Sequence, residues 1–130
     1  MLKVVLDTNI IVSSLWTPIG NASTIMKLIF EDKIIPCFNQ GILDEYRNVL
    51  LRKRLAFPVH QVDGLLSEIT DRGLFIINKP STITMIDETD RKFYDTAKFC
   101  DAYLITGNIK HFPNDQLIVS PRRFLDIFVM

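Results

Sequence analysis

The residues Val4-Val5-Leu6-Asp7-Thr8-Asn9 decide the fold. An apolar run without alternation, ended by a carboxylate and two hydrogen-bonding side chains, reads as a central parallel strand covered on both faces. The predicted strand stops at Asp7, which places that side chain at the carboxyl edge of a sheet. Open α/β sheets bind ligands outside the carboxyl ends of their strands, so Asp7 is a candidate site residue.

Outward from that strand, strands and helices alternate almost throughout. A short helix over residues 10–16 leads into the turn Thr17-Pro18-Ile19-Gly20. Asn21 can cap a second helix through about Glu31. Residues 34–38 form a strand that Pro36, lacking an N–H, should hold at or near a sheet edge. Asn39 caps a helix from Gln40 to about Lys53, with Ile42, Tyr46, Val49 and Leu50 as its apolar stripe. Pro58 opens a helix to about Asp71, which Gly73 ends. A third strand covers residues 74–77, a helix 87–100, a fourth strand 102–106 and a fifth 117–119. Ser120-Pro121 starts a final helix. The expected fold is a three-layer α/β/α sandwich around a mostly parallel sheet of about five strands, a single domain over residues 1–130.

Two carboxylates break the pattern of their helices. Glu45 lies three residues after Ile42 and four before Val49, so it points toward the core side. Asp90, three before Phe93 and seven before Ala97, shares the inward face of its helix. In a parallel sheet, strand ends and the starts of the following helices lie on one rim, so Asp7, Glu45, Asp90 and Asn108, just after the fourth strand, should meet there. Two carboxylates about 5 Å apart repel by roughly 3 kcal/mol at an effective dielectric near 20, so three need a counter-charge. A hard divalent cation supplies it: Mg²⁺ takes oxygen ligands and keeps waters and phosphate oxygens, while no His/Cys set here suits zinc. The chemistry implied is phosphodiester hydrolysis.

Composition sets the limits. The 130 residues are 48% hydrophobic, enough for one domain with a proper core. Fifteen Lys+Arg balance fifteen Asp+Glu, so any nucleic-acid contact must come from local clustering. Cys37 and Cys100 stand in no metal-ligand spacing and read as reduced, buried small hydrophobes. No signal-peptide core fits the start of the chain and no apolar stretch approaches membrane-helix length, so a soluble cytoplasmic protein is expected.

Three motifs in order resemble the PIN-domain family, in particular the small VapC-like toxins of prokaryotic toxin-antitoxin pairs. They are Leu6-Asp7-Thr8-Asn9; Asn39-Gln40-Gly41-Ile42-Leu43-Asp44-Glu45-Tyr46; and Asp87-Glu88-Thr89-Asp90, followed by Ala97 and Leu104-Ile105-Thr106-Gly107-Asn108. The resemblance implies a Mg²⁺- or Mn²⁺-dependent ribonuclease with Asp7, Glu45 and Asp90 as catalytic metal ligands, helped by Asn108. It also implies an RNA substrate, an antitoxin partner bound at the rim, and a homodimer. Many relatives carry a fourth Asp where this chain has Asn108; an amide binds a cation more weakly, which leaves a one-metal reading intact.

Plainer readings stand beside these. Asp7 could cap the following helix, and Asp87 could cap its own, with Asp90 completing a capping box. For Glu45 the alternative is a salt bridge with an Arg. Thr8 could bond to the backbone or reach a phosphate, and Asn9 could stabilise the turn. Asp95 and Asp101 read as surface charges, Asp95 pairing with Arg91 four residues before it. His60 and His111 are assigned no role. The cluster Arg52-Lys53-Arg54, with Arg47, reads as a solvated helix end or a contact for RNA phosphates or an acidic partner. A non-catalytic PIN-like module binding RNA or protein is the alternative function.

Overall fold

The computed structural model describes residues 1–130. Strands β1 (Lys3–Leu6), β2 (Ile35–Phe38), β3 (Leu74–Phe75), β4 (Tyr103–Ile105) and β5 (Ile118–Val119) form one sheet in the order β3-β2-β1-β4-β5. Every pairing is parallel. Helices α1 (Thr8–Trp16), α2 (Asn21–Phe30), α3 (Gln40–Leu50), α4 (Val59–Arg72), α5 (Arg91–Cys100) and α6 (Pro121–Phe128) complete an α/β/α sandwich. Successive strand residues point to opposite faces, and both Val4 and Val5 are fully buried, so the central strand is covered on both sides as its apolar run requires.

Pro36 lies near an edge, as expected, but not on it: β2 is the strand next to the edge strand β3, with Pro36 opposite Val4. Ile35 donates its N–H to Leu2 O at 3.0 Å on the β1 side, so the nitrogen of Pro36 faces β3. There the β3 ladder starts only at Cys37 opposite Leu74. Gly73 lies so close that an added Cβ would sit 2.3 Å from Pro36 O. The missing donor therefore falls where the chain is just entering the sheet, and no established ladder bond is lost. The edge strand β3 has only two residues, both exposed, although Ile76 N–H still reaches Phe38 O at 2.8 Å.

Other boundaries shift by a few residues. Asn21 is itself helical and the cap position falls on Gly20. Helix α1 begins at Thr8, directly after Asp7. Helix α3 stops at Leu50; a 3₁₀ turn over Lys53–Leu55 follows, closed by left-handed Ala56 at φ 56°. Glu88–Asp90 is a separate 3₁₀ turn ahead of α5. Pro58 is the N-cap of α4, and Ser120 caps α6 by accepting from Arg123 N at 3.1 Å. Cys37 and Cys100 are free and buried.

Candidate metal centre

The strand order reverses between β1 and β4: the chain builds outward from β1 through β2 to β3, then crosses to β4 on the other side. The carboxyl ends of β1 and β4 therefore flank a switch-point crevice. Asp7 stands at the end of β1, its N–H bonded to Ile105 O at 3.0 Å. Its carboxylate accepts the Thr106 hydroxyl at 2.7 Å, and Thr106 Oγ1 in turn accepts Asn108 N–H at 3.0 Å. Asp7 occupies the N-cap position of α1 without a capping side-chain bond, so the carboxylate is aimed across the crevice.

Three bonds bring Glu45 to the same place. Asn39 caps α3 by accepting from Ile42 N at 2.9 Å and donates through Nδ2 to Thr96 Oγ1 at 3.1 Å, tying α3 to α5. Within α3, the buried Tyr46 hydroxyl donates to Leu6 O at 2.5 Å, fixing the helix against the residue before Asp7. Burial and the nearby charges of Asp7 and Glu45 push the Tyr46 phenol well above its ordinary range, so it stays a donor. Glu45 then meets Thr8, whose hydroxyl donates to Oε2, and Lys92, whose Nζ lies 2.8 Å from Oε1. An ion pair does hold Glu45, as the plain reading required, but its partner is a lysine.

Asp90 ends the 3₁₀ turn ahead of α5. Burial, then the charges of Asp7, Asp87 and Glu45, push its carboxyl up to about 6. Burial likewise raises Asp7, offset in part by Thr106 and the Thr8 backbone, with Glu45 adding to the rise. Asp87 caps its own turn, accepting Thr89 N–H at 2.9 Å and the Thr89 hydroxyl at 2.7 Å, and those bonds hold it below the usual range.

Asp7, Glu45, Asp90, Asn108, Thr8, Asn9 and Asp87 all line one cavity of about 420 Å³. Arg52 lines it too, whereas Arg47 is paired with Asp63 of α4 and Lys53 and Arg54 lie outside it. His111, given no role from sequence, faces the cavity, and its position favours the charged forms of Asp7 and Asp90. The carboxylates do not close into a cage of three donors about one point. The donors are all oxygen, and burial, with neighbouring acids adding to it, disfavours the charged forms of Asp7 and Asp90. That set fits a hard cation such as Mg²⁺, which binds through one or two carboxylates and retains waters.

Asp95 is not a surface charge. It is buried, and accepts both the backbone N–H of Ser81 at 2.8 Å and its hydroxyl at 2.6 Å. Arg91 does not pair with it directly; the guanidinium bonds Ser81 O at 2.9 Å, Ile83 O at 2.7 Å and Glu88 Oε1 at 2.5 Å. Together Asp95 and Arg91 pin the irregular connector after β3 to α5.

The family model described as PIN domain matches residues 3–110. An uncharacterized protein of Methanocaldococcus jannaschii is 34% identical over 110 residues, covering 82% of this chain and 71% of that protein. Among solved structures, a chain of the VapBC2 crystal structure from Rickettsia felis, bound to a DNA fragment from their promoter, superposes with a TM-score of 0.60 at 19% identity. The match covers 92% of this chain and 98% of that one.

Proposed function

We propose a function from one premise: the chain belongs to the PIN-domain family. Its cavity is that of a divalent-metal-dependent endoribonuclease, with Asp7, Glu45 and Asp90 holding Mg²⁺ or Mn²⁺ and Asn108 assisting. The observation that carries the reading is the convergence of three carboxylates, from three distant segments, on the β1/β4 switch point. Thr106 keeps Asp7 oriented, while Thr8 and Lys92 keep Glu45 oriented. One of these three carboxylates would assist deprotonation of the attacking water. Arg52 brings positive charge to the same cavity, where RNA phosphates would sit, and His111 faces it. When bound, the cation would supply a lowered pKa for a coordinated water and neutralise charge developing on the phosphate.

In this reading the chain is the toxin of a toxin-antitoxin pair, acting in the cytoplasm as a homodimer and restrained by a small antitoxin at the rim of the cavity. No helix is long and apolar enough to cross a membrane. A second reading, a PIN-like module that binds RNA or protein without cleaving, draws on the Lys92 ion pair, which already offsets one carboxylate. Mn²⁺ calorimetry paired with cleavage of single-stranded RNA separates the two. The nuclease binds the metal and cleaves only with it, and Asp7→Asn loses both. RNA binding without metal uptake or cleavage selects the module.

A further inference from the structure

Lys92 is the one cation in contact with a candidate ligand. It is the second residue of α5, and its ammonium lies 2.8 Å from Glu45 Oε1 while also donating to Thr89 O. Its stem crosses the first turn of α3 at Gly41, where an added Cβ would stand 3.5 Å from Lys92 Cδ. Both partners are about three-quarters covered, with side-chain exposures of 26% and 27%, so this pair is shielded in a way that open surface pairs are not. Lys92 reaches Glu45 from outside the acidic cavity: it lines the neighbouring polar cavity with Asn39, Asn78 and Arg91, and is absent from the walls that Asp7 and Asp90 share.

Three carboxylates, one of them already in contact with an ammonium, form a site different from three carboxylates alone. We propose that the Lys92 ammonium is the built-in counter-ion of the acidic centre, and that a divalent cation has to compete with it for Glu45. This inference rests on the metal-dependent reading above. The alternative role for the same contact is positioning, in which Lys92 supports Glu45 as a ligand and its loss weakens metal binding. The two roles move cation affinity in opposite directions.

Mn²⁺ binding to the full chain, measured by calorimetry at constant ionic strength, is therefore the test, with wild type, Lys92→Met and Lys92→Arg compared. Competition predicts that Lys92→Met binds Mn²⁺ about tenfold more tightly, the repulsion between a unit charge and a divalent ion about 6 Å apart even at the dielectric of water. Lys92→Arg, which keeps the charge, should stay near wild type. Unchanged or weakened affinity in Lys92→Met overturns the proposal while leaving the metal centre intact. Uptake by Lys92→Met alone supports it. No uptake by either variant or wild type removes the metal reading and this inference together.

Discussion

The 3₁₀ turn ahead of α5 and the middle of α5 each carry an inward carboxylate, in opposite surroundings. Asp95 is buried and saturated: Ser81 gives it a backbone N–H and a hydroxyl, and Arg91 locks the same serine from the other side. Asp90, five residues earlier, is raised to about 6 by burial and by three neighbouring acids. A buried carboxylate surrounded by donors is a fastening. One left among like charges is held in a state that a cation relieves. The two carboxylates stand five residues apart along one continuous stretch, so what separates them is what each is given to bond.

The largest effect should fall on the Asp90 side. Asp7→Asn or Asp90→Asn is expected to lower kcat/KM for metal-dependent RNA cleavage by at least about 100-fold, measured on a fluorogenic single-stranded RNA. Asp95→Asn should leave cleavage per folded molecule within about threefold. If the Asp95 variant lost activity as completely, the contrast between fastening and centre would collapse.

Stability should reverse the order. Asp95→Ala strands the Ser81 donors and is expected to cost about 1–3 kcal/mol in urea unfolding, against a small gain for Asp90→Asn without metal. The sign for Asp90 follows from its raised carboxyl. Between the unfolded value of 3.8 and about 6 the folded state holds more protons, so its contribution to stability falls as pH rises through that window. Asp90→Asn should thus raise the melting temperature at pH 7.5 and leave it nearly unchanged below pH 4. A uniform shift at both would place the effect in packing instead. Saturating Mn²⁺ should raise the wild-type melting temperature, and do so less in Asp7→Asn, as preferential binding to the folded state requires. The smallest effect belongs to the rim: Arg52→Ala should reduce the salt slope of RNA binding by about one, with Lys53→Ala changing it less.

How far the sequence announced all this differs between the two regions. That Asp7, Glu45 and Asp90 share one cavity was legible because each breaks a sequence pattern, a carboxylate ending an apolar strand or falling at the spacing of an apolar helical face, although Asp90 sits in the 3₁₀ turn just ahead of its helix. Asp95 was misread because its partner, Ser81, lies fourteen residues back in a connector with no periodicity, while Arg91 at the helical spacing offered a false one. Lys92 had no signal beyond the small Gly41 that lets its stem pass. His111 had one, its place on the rim after β4, the reasoning that picked out Asn108. Pro36 located the edge only to within one strand, because the edge rule concerns a lost ladder bond and here the edge strand β3 pairs only from the next residue on.

The most direct test is a crystal soaked in Mn²⁺ and measured at a wavelength where manganese scatters anomalously. A peak between Asp7, Glu45 and Asp90, about 2.2 Å from carboxylate oxygens of at least two of them, is the expected result. A map with no peak in that cavity at saturating Mn²⁺, or with the metal bound elsewhere and Lys92 still closed on Glu45, would contradict it.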